Sequence, residues 1–327
     1  MRYLVCLIIL IALGFWVLGL GRYAISYAEI FGILLKTIQG DVLEDNLAYI
    51  ILNVRLPRVI LAIFVGASLG IAGASFQAIF RNPLASPDIL GVASGAGFGA
   101  ALALLLGLSI YSLTIFAFVF GILTLVLTLF IARDSSNRMM IILGGIIISA
   151  LFQSLISLLK YLADPQDSLP TITYWLLGSL TVSDLTQCLF CCAGMFLGAL
   201  VLFVYRWKHN LLMLDDFEAR SLGLNVARIR LLFIFASTLI VACVVSICGI
   251  VGWVGLIIPH LARILYGSNT ASVMPLSLFV GAIFMLLIDT MSRSISAEEI
   301  PLSILSSIIG ALIFVLILYR SKGGIKL

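Results

Sequence analysis

This chain predicts an all-α polytopic membrane protein with about ten transmembrane helices, and three observations lead there. Of its 327 residues, 62% are hydrophobic and 10% charged, too little polar surface to cover a water-soluble globule of that size. Apolar runs of about 20 residues, enough to cross a bilayer, recur along its whole length. From Arg55 onward, a glycine- and alanine-rich run enters a short Arg-Asn-Pro-Leu turn and a second small-residue run leaves it. That is the form of a hairpin crossing lipid twice, because small residues let helix backbones approach closely.

Taken in order, the spans fall at 3–20, 57–80, 88–107, 111–132, 139–160, 185–205, 231–248, 251–266, 273–292 and 302–320. The first follows Arg2 as a signal peptide would, but no small-x-small cleavage site follows it and the later spans resemble it, so it is read as a helix that stays. The seventh and eighth are separated by glycine and tryptophan alone around Gly249, so a nine-span reading stays open. With ten spans and the amino terminus inside, 13 lysines and arginines face the cytoplasm and 6 face outward (Arg22, Lys36, Arg55, Arg58, Lys160 and Arg293). That bias favours cytoplasmic termini. The acids Asp41, Glu44, Asp45, Glu298 and Glu299 are among those that fall outside.

Several function classes are excluded or weakened. A net charge of +4 without basic runs interleaved with aromatics gives no sign of nucleic acid. The six cysteines lie in or beside apolar spans, so the formal C-x-x-C of Cys188 and Cys191 reads as buried thiols. Ionisable residues deep in the spans are nearly absent, which disfavours ion-gradient coupling. No phosphate-cradling G-x-x-x-x-G-K-[ST] loop is present, so any ATP must be bound by another polypeptide. The cluster Gly91, Gly95, Gly97 and Gly99 follows no strand and reads as close helix packing.

The most charged region, 206–230, lies between the sixth and seventh spans and is too polar to cross lipid. In it Asp215 is placed to cap a short helix, with Glu218 as the reciprocal partner and Gly223 at the left-handed stop. An ordinary solvated loop helix fits these residues equally well. His260 stands alone without ligands at helical spacing, which points to a structural or coupling role, and His209 reads as a plain loop residue.

Six collinear strings carry a family resemblance: RLPR at 55–58, RNPLASPDILGVASGAG at 81–97, YWLLGSL at 174–180, EARSLG at 218–223, GWVGLIIPHLAR at 252–263 and EIP at 299–301. With them the chain resembles the permease subunits of the type II ABC importers for iron chelates (siderophores, haem) and cobalamin. The resemblance implies a single permease domain over 1–327, with 206–230 as a coupling loop. It also implies a bacterial or archaeal cytoplasmic membrane, a homodimer or a pair of related permeases, and two ATPase subunits below. A periplasmic or lipid-anchored binding protein sits above. No cofactor is expected on this chain, and ATP and magnesium belong to the ATPase.

Carried over residue by residue, the resemblance assigns ATPase coupling to Glu218, Ala219, Arg220, Leu222 and Gly223. It assigns binding-protein docking to Arg55, Arg58 and Arg293, where guanidinium forks suit carboxylates. Arg293 also lies four residues after Asp289, within reach of a local ion pair. Ser149, Gln153 and Ser157 share one face of the fifth span, and Ser303, Ser306 and Ser307 mark the tenth. In the family the helices matching these spans line the central channel, although serines bonded to their own backbone would look the same. A lining of hydroxyls and amides without fixed charge suits a bulky complex that must slide. The expected cargo is a metal chelate; the alternatives are molybdate or tungstate through the same machine, or an ion-coupled carrier. Departures from the family are Gly310, Ala311 and Leu312 in place of Gly-Ala-Pro, Leu302 and Ser303 after the EIP proline, and Gly267, Ser268, Asn269 and Thr270 in place of a loop ending in Asp-His-Arg. The last puts a second ATPase contact in doubt.

Overall fold

A computed structural model describes residues 2–21, 23, 25–40, 45–133, 137–182 and 184–322. Arg22, Asp41, Glu44 and Lys326, which entered the charge balance, lie outside the described residues. Ten apolar helices match the ten expected runs: α1 (Arg2–Gly19), α4 (Leu56–Phe80), α5 (Val92–Leu105), α6 (Ile110–Ala132), α7 (Arg138–Leu162), α9 (Leu185–Val204), α12 (Val226–Cys248), α13 (Val254–Tyr266), α14 (Thr270–Ser294) and α15 (Leu302–Lys322). Their apolar stretches are not all of spanning length. Six of the described helices are long and apolar enough to cross a membrane, while Tyr3–Gly19, Val92–Leu105, Val254–Tyr266 and Leu302–Ile317 are shorter.

The two shortest are completed by irregular backbone. A 3-10 turn over Pro87–Leu90 leads into α5, and the segment 249–253 leads into α13. Non-helical backbone at membrane depth must find partners inside the protein. Gly91 N–H accordingly donates to Asp88 O at 2.9 Å and Ser179 N–H to Cys248 O at 2.9 Å. The boundary near Gly249 is therefore a real break, so ten helices replace nine. Gly249 takes φ +71° and Trp253 φ +68°, a left-handed conformation that a bulky residue adopts only under constraint.

Outside the ten lie further elements, of which the sequence reading foresaw the short helix capped by Asp215 and left the others as loop. Helix α2 (Tyr27–Gln39) starts with a full capping box between Ser26 and Glu29 and stops at Gly40 in the left-handed region. Helix α3 (Asn46–Tyr49) and a π-helical stretch over Ile50–Arg55 run without interruption into α4. Helices α8 (Ser168–Leu177), α10 (Arg206–Met213) and α11 (Asp216–Ser221) are short.

The core centres on α4, packed against α14, α13, α9 and α12. Contact is closest where glycines meet: a Cβ on Gly66 would strike the Gly281 carbonyl, and one on Gly73 the Gly255 carbonyl. Gly95 and Gly99 likewise lie against Thr124 and Phe116 of α6, in keeping with close packing of α5. Cys188, Cys191, Cys192, Cys243 and Cys248 are buried free thiols, and Cys6 is half-buried.

Charged residues gather at the two ends of the bundle. Arg81, Arg138, Arg230 and Asp216 meet at the end carrying 206–230, here termed the loop end. Arg58, Asp289, Arg293 and Glu299 meet at the opposite end.

Candidate functional site

At the loop end, α11 forms a small projecting knob. Asp215 accepts from Phe217 N–H at 3.4 Å, but no bond returns from Glu218, so the expected capping box is one-sided. Gly223, at φ +82°, turns the chain so that Leu224 N–H reaches Ala219 O at 3.1 Å. Ala219 and Leu224 are buried and fix the knob to the body, whereas Glu218, Arg220, Leu222 and Gly223 are exposed. Phe217 (79% exposed) and Leu222 (63%) give the knob an apolar tip, unusual beside so many charges and suited to a protein cleft.

The anchor of this knob is Asp216. Its carboxylate accepts from Arg81 at the end of α4 (2.8 Å), from Arg138 at the start of α7 and from Arg230 of α12 (3.0 Å). Burial works to raise the Asp216 pKa, but the surrounding arginines outweigh it and hold the carboxyl below its usual range. One side chain of the knob thus joins the ends of three long helices. Arg81 also donates to Leu212 O at 2.9 Å, which extends the tie to α10.

Helix α10 supports the knob from within the body. Contrary to the loop-residue reading, His209 is fully buried. It bonds Ser75 Oγ of α4 at 2.9 Å, and its ring stacks on Phe233 at 3.8 Å between centroids. Burial drives its pKa down to about 3, so the imidazole is neutral. The 267–270 turn, which departs from the family pattern, docks on this same helix. Asn210 donates to Asn269 Oδ1 at 3.0 Å and accepts from Thr270 N–H at 3.0 Å. His260 is buried in α13 with its ring edge toward Phe314, and Arg263 reaches back to Gln77 of α4.

At the opposite end the three arginines expected to face a docking partner are turned inward. Arg55, Arg58 and Arg293 are only 6%, 8% and 9% exposed, so their expected presentation as a charged rim is corrected. Arg58 donates to Asp289 at 2.8 Å and, in a two-pronged contact, to both oxygens of Glu299 at 2.9 and 3.0 Å. Arg55 donates to Leu18 O at 2.6 Å and to Tyr23 O, and Arg293 to Leu20 O and Val17 O at 2.6 and 3.0 Å. The carbonyls of Val17, Leu18 and Leu20 lie at the C-terminal end of α1, where orphan acceptors and the helix dipole attract cations, and that of Tyr23 lies in the segment beyond it. The Asp289–Arg293 ion pair foreseen from their spacing is present at 3.4 Å.

Sequence strings far apart in the chain meet at this end. Ser179 N–H, in YWLLGSL, donates to Cys248 O, and Leu302 N–H, just after EIP, donates to Gly178 O at 3.0 Å. Glu299 of EIP holds Arg58 of RLPR.

Along α7, Ser149 lies 3.0 Å from Ser94 Oγ of α5, and Gln153 Nε2 donates to the same hydroxyl at 3.1 Å. Gln153 and Ser157 are exposed, although the Ser157 hydroxyl bonds back to Gln153 O at 3.0 Å. On α15, Ser303 and Ser307 are half-buried, but Ser306 is fully buried, its hydroxyl directed toward Ser303 O at 3.4 Å. Ser306 therefore cannot line a pathway in this conformation. The residues that sequence reasoning missed are Asp216 and its arginines, His209 and Ser94. Of these, only the Asp215-Asp216 doublet beside a basic loop carried any local signal.

Comparison with known proteins gives a consistent picture. The FecCD transport family matches residues 7–320. The molybdate import system permease protein MolB of Haemophilus influenzae is 44% identical over 309 residues, covering 94% of this chain and 92% of the relative. An iron chelatin transport system permease protein of Helicobacter pylori is 40% identical over 280 residues, 85% of each chain. A solved structure assigned to the metal-chelate type of ABC transporter, in an inward-facing conformation, superposes with a TM-score of 0.88 at 40% identity, covering 98% of this chain and 99% of that one.

Proposed function

The chain belongs to the FecCD transport family and is an ABC transporter permease subunit, and from that premise we propose that it moves a metal chelate, a ferric siderophore, haem or cobalamin, into the cytoplasm. A binding protein delivers the cargo and two ATPase subunits, which hold ATP and magnesium, supply the energy. The observation that carries this reading is the α11 knob. An exposed tip of Phe217, Glu218, Arg220 and Leu222 is joined through Asp216 to α4, α7 and α12, so force applied to the tip reaches three helices at once. Two copies form the conduit, with both termini and the loop end in the cytoplasm of a bacterial or archaeal cell.

The pathway runs past Ser149, Gln153, Ser157, Ser303 and Ser307, whose hydroxyl and amide groups offer weak, replaceable contacts. Differential affinity of the ATPase for its nucleotides shifts the pair between outward- and inward-open populations. Docking of the binding protein takes place at the opposite end, where Arg55, Arg58 and Arg293 act by shaping the surface they support. Family membership sets aside ion-coupled carriage. Molybdate or tungstate is a second reading, favoured by the 44% identity with a molybdate permease.

The test is uptake into vesicles reconstituted with the permease, its ATPase and its binding protein. Uptake must require ATP, and Arg220→Glu must leave the assembly intact while ATP hydrolysis no longer drives uptake. Uptake without the ATPase, or normal coupling in that variant, would refute the reading. Titration of the binding protein with ferric siderophore, haem, cobalamin, molybdate and tungstate separates the cargoes.

A further inference from the structure

Between α4, α9 and α14 a groove of about 270 Å³ opens sideways, walled by Phe64, Ala67, Met195, Ala199, Phe203 and Leu278. Ser68 also borders it, but its hydroxyl is turned onto Val65 O at 3.2 Å, so no free donor points in. From Met195 to Phe203 the wall runs about 12 Å along α9, against roughly 15 Å for half of a bilayer's hydrocarbon core. The groove has the depth of one leaflet and the chemistry of an acyl chain.

At its Phe203 end the chain continues into a cationic and aromatic stretch, 205–208. Phe203 ends the groove, and the Arg206 guanidinium sits 4.5 Å from the Phe203 ring and 5.8 Å from that of Trp207. Lys208 Nζ lies 4.5 Å from the Tyr205 ring. Trp207 is 61% exposed and Tyr205 37%, as residues at a membrane–water interface are. Among the described residues neither Arg206 nor Lys208 has an acidic partner, whereas Arg81, Arg138 and Arg230 are all paired to Asp216.

We propose that this groove and the 205–208 stretch form a binding site for one anionic glycerophospholipid, with an acyl chain against Phe64, Ala67 and Ala199 and the phosphate beside Arg206 and Lys208. A phosphodiester without a compensating ammonium supplies the negative charge these two cations lack, which sets the site apart from ordinary lipid-facing surface.

Native mass spectrometry of the full chain in detergent, with palmitoyl-oleoyl phosphatidylglycerol or the matching phosphatidylcholine added, tests the site. The phosphatidylglycerol-bound species should exceed the phosphatidylcholine-bound one by roughly 25-fold, at about fivefold per cation. Arg206→Gln with Lys208→Gln should bring the ratio close to one, whereas Arg206→Lys should keep the preference and thereby report a folded site. Ala199→Phe, or Ala67→Leu should the first fail to fold, should lower retention of both lipids by filling the groove. Equal retention of the two lipids by the unmodified chain would overturn the proposal, as when a second copy covers the groove. So would a preference that survives the double glutamine variant, or filled-groove variants that bind as before.

Discussion

Asp216 holds three guanidinium groups with one carboxylate, so its loss leaves three neighbouring cations facing each other. Asp216→Asn should cost about 1–2 kcal/mol, the value of charged hydrogen bonds discounted for partial exposure. For a chain of this size that lowers the melting midpoint by about 1.5–3 °C, and Asp216→Glu should recover part of it. His209 gives a second prediction, and its sign follows from burial. Its folded pKa, about 3, lies below the ordinary 6.5, so its contribution is complete above pH 6.5 and is lost as the pH falls toward 3. Between pH 7.5 and pH 5 the loss is about 2 kcal/mol, visible as a lower melting midpoint at pH 5 that His209→Gln should largely abolish. Asp216 had only the acidic doublet beside a basic loop to mark it, and His209 had nothing. A histidine in a basic loop looks solvated until α4 and α12 bring Ser75 and Phe233 against it.

Helices fit together here through surfaces that each sequence run displayed and pairings that none displayed. The glycines of α4 announced a close approach, but that Gly66 meets Gly281 follows only from the arrangement of α4 and α14. Gly281→Val should therefore destabilise by about 1–3 kcal/mol, as overpacking does, while Gly32→Val, whose added carbon meets nothing, should leave the melting midpoint almost unchanged. The Arg58–Asp289 tie between the same two helices yields an asymmetric expectation. Asp289→Leu alone takes from Arg58 and Arg293 the buried carboxylate they share, leaves Arg58 only Glu299, and should cost about 3–5 kcal/mol, whereas Arg58→Met with Asp289→Leu removes one buried cation as well and should recover part of that loss, a comparison that denaturation of the purified variants would measure. The α11 stop at Gly223 was readable because glycine needs no partner to justify a positive φ, whereas the same signal at Gly249 left the α12–α13 break open until the backbone settled it. The α2 capping box was equally local, yet the run around it carried no span-length apolar signal and passed for loop.

For the whole molecule, the ten apolar helices and two charged ends among the described residues follow from composition and spacing, because lipid makes hydropathy a direct record of where the chain crosses. Partners of the charges are a different matter: Arg58 and Glu299 stand 241 residues apart, and a sequence read along one dimension shows a basic residue near an interface as an exposed one. The inward turn of that cluster changes what charge reversal does. Arg55→Glu with Arg58→Glu should reduce the yield of folded permease and loosen α1, seen as faster proteolysis in the 20–26 segment, before any binding protein is added. A variant as stable as the parent would restore an exposed role for these arginines. The knot at this end has a different character, since Ser179 with Cys248 and Leu302 with Gly178 are joined amide to carbonyl. Such stitches are made by backbone N–H groups, so proline, which has none to give, would cut them at either 179 or 302 where other residues would leave the three united segments in place.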